Sequence, residues 1–264
     1  MTAAAHLDID SRGVATITLN RPDIHNAFDD QLIAHLIGLI TEAGQDPRTR
    51  VLLLASTGKS FSAGADLAWM RRMADASRED NLRDARQLAK LMETLNGFSA
   101  PTVAKVQGAV MGGGVGLVSC CDIAVASETA FFALSEVKLG LAPAAISPYV
   151  IAKMGVSQAR RYFVSGERFS AVRAAAIGLV HEVVSPAELE VKVMQIVDTL
   201  LGNGPHAMRA AKQLVRVANP LRVTPELADY TAGVIADLRA SEEGREGLRA
   251  FLQKDVPAWT RSGK

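Results

Sequence analysis

Short apolar segments alternate with longer amphipathic ones along the first three quarters of the chain. The amphipathic segments have apolar residues at helical spacing, for example Leu32 and Leu36 in one and Leu88 and Met92 in another. Strands alternating with helices predict an α/β fold. The short segments match the pattern of buried or half-buried strands and cover residues 14–19, 51–55, 102–106, 123–126, 131–134 and 179–184.

Capping residues predict where the first helices begin. Asn26 stands before an apolar pattern of helical period, so it is a candidate N-cap. Ser77 has an acidic residue, Asp80, three positions later, which is a typical start signal for the next helix.

After about residue 200 the pattern contains helices only. Pro205 suits the first turn of a helix, and Thr224 and Ser241 begin two further helical patterns. We therefore predict an α/β core over residues 1–200 and a helical region over residues 201–264, which docks on the core or on a neighbouring subunit.

Composition and charge narrow the class of protein. The 264 residues are 48% apolar and 22% charged, which is ordinary for a globular protein. The net charge of +1 offers no basic surplus for nucleic acid or an anionic membrane, so we expect neither as a partner. Cys120 and Cys121 are adjacent and lack metal-site spacing. Together with an N-terminus unlike a signal peptide, they lead us to expect a cytoplasmic protein without a metal.

Two glycine turns, each after a strand pattern, carry the strongest chemical signal. The first, F-S-A-G-A-D-L, covers residues 61–67, and the second, Q-G-A-V-M-G-G-G-V-G, covers residues 107–116. Glycine lets a backbone approach a ligand closely, and the first N–H groups of a helix carry partial positive charge. Each cluster taken alone also fits a plain tight turn. Two of them together are able to supply two N–H donors to one oxyanion.

Glu136 is the candidate for proton transfer. It lies in F-F-A-L-S-E-V-K-L-G-L-A-P, whose apolar flanks favour partial burial and a raised pKa. Such a carboxyl group suits proton transfer near neutral pH, whereas the alternative is a solvated loop glutamate. Asp122, directly after the two cysteines, is expected to be a structural cap or ion-pair partner.

Taken together, these segments resemble the enoyl-CoA hydratase/isomerase, or crotonase, superfamily over nearly the whole chain. L-N-R-P-D-I-H-N-A-F at residues 19–28 is similar to its N-terminal motif, the glycine turns to its two oxyanion turns, and S-E-V-K-L-G-L-A-P to its catalytic-glutamate segment. The resemblance implies a crotonase-type spiral core of ββα units, with a C-terminal helical region that mediates assembly into trimers or hexamers. It also implies an acyl-CoA thioester substrate and no cofactor, since coenzyme A is part of the substrate.

The resemblance assigns roles to individual residues. The backbone N–H groups of Ala65 and Gly113 would stabilise the enolate oxygen, and Glu136 would transfer the proton. Lys254 would reach the 3′-phosphoadenosine end across a subunit boundary. The remaining substrate-binding residues on the two turns would be Ala63, Asp66, Leu67, Ala68 and Gly112.

One position departs from the most familiar hydratases, which hold a water molecule between two glutamates. The first of these aligns with Gly116, so this chain keeps only Glu136. S-C-C-D and the loop after Glu136 resemble a bacterial subgroup associated with hydration of 3-methylglutaconyl-CoA and isohexenylglutaconyl-CoA, in leucine and acyclic-terpene degradation. Those substrates carry a second carboxylate. That group, or Ser147 or Tyr149 in this chain, would then hold the water near Gly116.

Three functions follow from the resemblance. The first is an enoyl-CoA hydratase, a carbon–oxygen lyase that acts on a branched, carboxylated 2-enoyl-CoA. The second is a Δ3-Δ2-enoyl-CoA isomerase that uses a single glutamate. The third is a non-catalytic scaffold or RNA-binding member of the family, which the near-zero net charge and the retention of Glu136 disfavour.

Overall fold

The computed structural model describes residues 3–218 and 224–258. The strands are β1 (Ala5–Ile9), β2 (Val14–Leu19), β3 (Val51–Ser56), β4 (Thr102–Val106), β5 (Ala109–Met111), β6 (Ile123–Ser127), β7 (Phe131–Ala133), β8 (Phe169–Ser170) and β9 (Glu182–Val184). The α-helices are α1 (Asp30–Gln45), α2 (Leu67–Ala74), α3 (Arg78–Asn96), α4 (Gly113–Cys120), α5 (Ser147–Ser165), α6 (Ala171–Ala176), α7 (Leu189–Leu201), α8 (Pro205–Ala218), α9 (Pro225–Ala240) and α10 (Glu242–Leu252). Two 3₁₀ helices cover Pro22–Ile24 and Ser135–Leu139.

The strands form two sheets, as an α/β fold requires. The larger sheet has six strands in the order β1-β2-β3-β4-β6-β9, all parallel to their neighbours except β1. The smaller sheet has the order β5-β7-β8. Successive units β4-β5-α4 and β6-β7-α5 each give their first strand to the large sheet and their second to the small one. This repeat is the ββα spiral that the family resemblance implies.

Apolar side chains cover both faces of the large sheet. Strand β3 is buried along its whole length, which is typical of a central parallel strand. Its Leu52 and Leu54 belong to the main core with Leu36 of α1, whereas Leu53 packs in a second cluster with Val193 of α7. Because side chains alternate along a strand, consecutive leucines serve opposite faces.

The first helix does not begin where the sequence predicts. Asp29, not Asn26, is the N-cap of α1, because its Oδ1 accepts a hydrogen bond from the Leu32 N–H at 2.9 Å. Asn26 is fully buried in a left-handed backbone conformation, which asparagine tolerates better than most residues. The prediction for Ser77 is confirmed, since its Oγ accepts a hydrogen bond from the Asp80 N–H at 3.1 Å.

Three strands, β1, β5 and β8, have no counterpart in the sequence prediction, and one predicted strand is shorter than expected. β5 and β8 contain three and two residues, too few for a periodic pattern to appear. The pattern at residues 179–184 yields a strand only over Glu182–Val184, because Leu179 and Val180 follow the turn after α6 and pack into the core.

The C-terminal region is helical where the structure describes it. Helix α9 packs on α3, and α10 packs on α2 and on the 3₁₀ helix Ser135–Leu139 of the same chain. Leu248 of α10 is consequently buried, whereas Leu214 of α8 is 68% exposed. Part of the apolar surface that the sequence assigns to assembly therefore serves the chain's own core. The role of residues 201–264 in assembly stays a prediction. No helix in the two described ranges has the length and apolar character needed to span a membrane.

Asn26 holds the N-terminal motif to the first glycine turn, so its replacement should destabilise the protein. Its Oδ1 accepts from the Arg21 N–H at 2.8 Å, and its Nδ2 donates to the carbonyl oxygens of Thr57 and Ser60 at 2.8 Å each. Asn26→Ala leaves the Arg21 N–H and the Thr57 carbonyl oxygen without partners, whereas the Ser60 carbonyl oxygen still accepts from Oγ of Ser56. Each group that loses its partner and stays buried costs about 1–3 kcal/mol. We expect urea denaturation to show a loss of about 3 kcal/mol or more, and less than about 0.5 kcal/mol for the exposed control Asn203→Ala. Equal losses in the two variants would contradict this role.

Candidate active site

Backbone pairing brings the two glycine turns together. The Ser62 N–H donates to the Ala109 carbonyl oxygen at 3.1 Å, and the Met111 N–H donates to the Ser62 carbonyl oxygen at 2.9 Å. Ser62 thus pairs with Val110 of β5 as a short parallel bridge. The segment that leads to the first turn lies beside the strand that leads to the second, so the turns are neighbours in space.

Phe28 packs against both turns. Its N–H donates to the Gly64 carbonyl oxygen at 2.9 Å, and its own carbonyl oxygen accepts from the Asp66 N–H at 3.0 Å. A Cβ atom on Gly113 would lie 2.6 Å from Cε2 of the Phe28 ring, so only glycine fits there. A helix that began after Asn26 would have included Phe28, so the helical pattern gives no sign of this role. Its position at the end of the N-terminal motif was the available signal.

Two backbone N–H groups on these turns have no acceptor. Neither the Ala65 N–H nor the Gly113 N–H donates a hydrogen bond to any part of the chain that the structure describes. Gly113 is the first residue of α4, where the helix leaves its N–H groups without intrahelical partners. Gly112 before it has φ +49°, a conformation that favours glycine. Both donors border the same cavity and are available to a ligand oxygen.

The cavity has a volume of about 940 Å³, which suits an acyl chain with part of its pantetheine carrier. Residues of the two turns line it together with Ile235 of α9 and Leu248 of α10. The helical C-terminal region therefore completes the cavity within one chain. The predicted residues that line it are Ala63, Ala65, Asp66, Leu67, Ala68, Gly112, Gly113 and Glu136.

Glu136 lies in the cavity wall next to the second turn. A Cβ atom on Gly112 would lie 2.9 Å from Oε1 of Glu136, so the carboxyl group rests directly against that glycine. Oε2 is buried and has no hydrogen-bond partner among the described residues. Burial raises the pKa of Glu136 to about 7, although a hydrogen bond from its own backbone N–H acts in the opposite direction. Near neutral pH this carboxyl group is able both to accept and to donate a proton.

Gly116 is not in the cavity wall, contrary to the prediction. It is buried within α4, and a Cβ atom there would lie 2.9 Å from Cβ of Ile146 and 3.1 Å from Sδ of Met92. Ile146 itself lines the cavity. The space next to Gly116 is therefore filled by an isoleucine side chain, which sequence alignment of a single position is unable to show.

Ser147 and Tyr149 also lie outside the described cavity wall. Oγ of Ser147 donates to the Ala144 carbonyl oxygen at 2.8 Å, so the hydroxyl group is engaged in the turn before α5. Tyr149 is buried in the main core, and burial raises its pKa above the ordinary value. Neither residue lines the cavity, and a role for their hydroxyl groups in holding a water molecule stays a prediction.

Lys254 follows α10 and does not line its own chain's cavity, although Phe251 and Asp255 on either side of it do. Its contact with coenzyme A across a subunit boundary concerns a neighbouring chain and stays a prediction.

The polar residues near the two cysteines have structural roles. Oδ2 of Asp122 accepts from the Thr102 N–H at 2.8 Å and pairs with Nζ of Lys212 at 2.7 Å, which ties α8 to the core. Cys120 and Cys121 are buried as free thiols, and burial raises the pKa of both. Within residues 3–218 and 224–258, no group of three or more histidine, cysteine, aspartate or glutamate side chains is placed to hold a metal ion.

Comparison with known proteins agrees with this architecture. A crystal structure of an enoyl-CoA hydratase from Shewanella pealeana is 43% identical, with a TM-score of 0.80 over 97% of this chain and 96% of that one. The 2,3-dehydroadipyl-CoA hydratase of Escherichia coli is 34% identical over 92% of this chain and 94% of its own length. The trans-2-decenoyl-[acyl-carrier-protein] isomerase of Streptococcus mutans is 30% identical over 94% of this chain and 95% of its own.

The family model for enoyl-CoA hydratase/isomerase matches residues 10–262. With two glycine turns whose N–H groups border one cavity, and a glutamate in the same wall with a buried carboxyl oxygen, the chain belongs to the enoyl-CoA hydratase/isomerase family.

Proposed function

We propose that the protein is an enoyl-CoA hydratase that adds water across the double bond of a 2-enoyl-CoA. One observation carries the proposal: the Glu136 carboxyl group, with its pKa of about 7 and an unpartnered oxygen, lies beside the turn that holds the Gly113 N–H. A proton-transfer group and an oxyanion donor next to each other are what a reaction through a thioester enolate requires.

The proposed reaction uses Glu136 twice. The Ala65 and Gly113 N–H groups bind the thioester oxygen and polarise the conjugated double bond. The Glu136 carboxylate takes a proton from water while the water oxygen bonds to the β-carbon, and the π electrons move to form the enolate. The protonated Glu136 then gives its proton to the α-carbon, which restores the thioester carbonyl and the free carboxylate.

For the substrate we propose a branched, carboxylated 2-enoyl-CoA such as 3-methylglutaconyl-CoA. With Ile146 in the space beside Gly116, and with Ser147 and Tyr149 outside the cavity wall, the described residues offer no second acid at the position of the missing glutamate. A carboxylate carried by the substrate would supply a second group to orient the water. The Escherichia coli relative is likewise named for a carboxylated enoyl-CoA.

A Δ3-Δ2-enoyl-CoA isomerase is the second candidate, and the isoleucine beside Gly116 favours it. Moving a proton between two carbons needs a single base and no bound water, so an apolar side chain at that place does no harm. The Streptococcus mutans relative is named an isomerase. Mass analysis of the products separates the candidates, because hydration adds the mass of one water and isomerisation adds none.

We also propose that the protein is a cytoplasmic homo-oligomer, a trimer or a hexamer. The support is the exposed apolar surface of α8 in a single chain, where Leu214, Val215 and Val217 are 66–70% exposed. Such a surface is unusual for a solvated helix and suits burial between subunits.

Glu136→Gln tests the proton-transfer role. The variant keeps the shape of the side chain and removes its ability to carry a proton, so kcat should fall by about 10²- to 10⁴-fold with KM little changed. The substrates are crotonyl-CoA, 3-methylglutaconyl-CoA, isohexenylglutaconyl-CoA and a 3-enoyl-CoA. Glu79→Gln, on the exposed face of α3, is the control and should keep wild-type rates. Full activity in Glu136→Gln would show that another group moves the proton.

The raised pKa of Glu136 predicts opposite pH effects on activity and on stability. Hydration needs the carboxylate, so kcat/KM should rise with pH through about 7 and then level off. The folded state binds the Glu136 proton more tightly than the unfolded state does. Protonated Glu136 therefore makes its full contribution to stability below pH 4.5, and this contribution is lost as pH rises through about 7. At pH 8, Glu136→Gln should therefore unfold with a free energy about 3 kcal/mol higher than the wild type, with no such gain at pH 4. A constant difference across this range would contradict the burial of the charge.

The pair Gly116 and Ile146 tests why this chain manages with one glutamate. Gly116→Glu alone should fold poorly because the added side chain meets Ile146. Gly116→Glu with Ile146→Ala provides room for the carboxyl group beside the cavity. We expect the double variant to hydrate crotonyl-CoA faster than Ile146→Ala does, and to lose turnover of carboxylated substrates through charge repulsion. If neither rate differs from that of Ile146→Ala, the substrate carboxylate does not replace the missing glutamate.

A further inference from the structure

We propose that Arg239 on α9 binds the distal carboxylate of the acyl chain, and so selects acyl-CoA substrates that end in a carboxylate. This inference rests on the proposed function for its choice of substrate class, but it concerns binding and is testable apart from the reaction.

Arg239 is a buried cation in the cavity wall. Arg239 is only 9% exposed, yet it lines the cavity together with Ile235, which lies one turn earlier on the same helix. The other cationic side chains of the described wall, Arg71, Lys138 and Arg168, are exposed to solvent. A buried cation, unlike an exposed one, needs an anion close to it to offset the loss of its hydration.

Half of the Arg239 guanidinium group is already engaged. Its Nη1 donates to Oδ2 of Asp84 at 2.8 Å, and its Cζ lies 5.3 Å from the centroid of the Trp69 ring. Oδ1 of the same aspartate accepts from Nε1 of Trp69 at 3.0 Å. The indole ring and the aspartate therefore fix the plane of the guanidinium group.

The other donors of the guanidinium group are unused. Among the described residues, neither Nε nor Nη2 of Arg239 donates a hydrogen bond. Guanidinium groups bind carboxylates through two parallel N–H groups, and a fixed, partly desolvated fork loses little entropy on binding. Asp84 compensates the buried charge when no substrate is present, and the free edge is left for a second carboxylate.

The position of Arg239 suits the far end of a short acyl chain. Trp69 lies in the first turn of α2, which begins directly after Ala65 and its neighbour Asp66. On the opposite side, Ile235 packs in one cluster with Leu141, whose N–H donates to the Glu136 carbonyl oxygen at 3.0 Å. Arg239 thus contacts the helix that follows the oxyanion turn, and it lies on the same helix as Ile235, which packs with Leu141 next to the glutamate segment. A diacid thioester held at Ala65 would extend towards it.

A structural role for Arg239 predicts a different outcome, and the chain offers matched controls. Arg239 also links α9 to α3, as do the exposed pairs of Arg86 with Asp229 and of Arg78 with Asp237. If Arg239 only tethered α9, then Arg239→Gln and Arg86→Gln would each change the affinities for all acyl-CoA ligands by the same factor.

The test compares binding of glutaryl-CoA and butyryl-CoA, two saturated thioesters that are unable to react. Isothermal titration of the wild type should show tighter binding of glutaryl-CoA. Arg239→Gln should lower the affinity for glutaryl-CoA by about 10- to 100-fold, as expected when a hydrogen bond to a charged group is lost. The affinity for butyryl-CoA should stay within about 3-fold of the wild-type value. Arg86→Gln should leave both affinities unchanged.

Arg239→Gln leaves Asp84 buried without its partner, so a second pair of variants guards against misfolding. Asp84→Asn keeps the cation and should retain the preference for glutaryl-CoA. Asp84→Asn with Arg239→Gln replaces the ion pair by two neutral amides and should abolish the preference. Persistence of the preference in this double variant, or its absence in the wild type, would overturn the role of Arg239.

The same proteins separate this inference from the proposed reaction. In a hydration assay with 3-methylglutaconyl-CoA and crotonyl-CoA, the double variant should lose kcat/KM for the first substrate mainly through KM. A wild type that prefers glutaryl-CoA but hydrates neither substrate would support Arg239 as the carboxylate site while contradicting the hydratase function. Hydration of both substrates with no preference for glutaryl-CoA would do the reverse.

Discussion

The three residues of β5 hold the reactive groups in place. On one side β5 pairs with Ser62 and so fixes the turn that contains Ala65. On the other side it pairs with β7, and the Gly112 N–H donates to the Ala133 carbonyl oxygen at 3.0 Å. The chain continues from β7 directly into the 3₁₀ helix that carries Glu136. The Ala65 and Gly113 N–H groups and Glu136 are thus positioned by hydrogen bonds to one short strand. Backbone groups held in this way need little rearrangement when a ligand binds.

The cavity contains buried polar groups that lower the stability of the folded state, and a core with a purely structural role would not contain them. An unpartnered carboxyl oxygen on Glu136 is buried, and Arg239 is a buried cation balanced by a single aspartate. Groups of this kind weaken the folded state unless they are paired or neutralised. Two such groups in one cavity are typical of a functional site, because proteins retain destabilising residues there when function needs them.

Local patterns in the sequence predict the parts of the site that depend on backbone shape. The glycine turns, the cap at Ser77 and the partial burial of Glu136 follow from nearby residues, and the structure agrees with each. The sequence misleads where distant segments meet. Gly116 does not line the cavity, because the side chain of Ile146, thirty residues later, fills the space next to it. The sequence gives no sign of the position of Arg239, because the helical pattern of α9 does not show which of its residues face the solvent and which face the cavity. Only the packing of α9 on α3 decides this.

Closure of the cavity by α9 and α10 has a consequence for the order in which the protein matures on the ribosome. Synthesis proceeds from the N-terminus, so the segments that contain Ala65, Gly113 and Glu136 leave the exit tunnel before residues 225–252 have been translated. The nascent chain therefore exposes the apolar surface around Leu141 and Ala144 until the last helices cover it. The cavity is therefore enclosed only after the last helices have been synthesised.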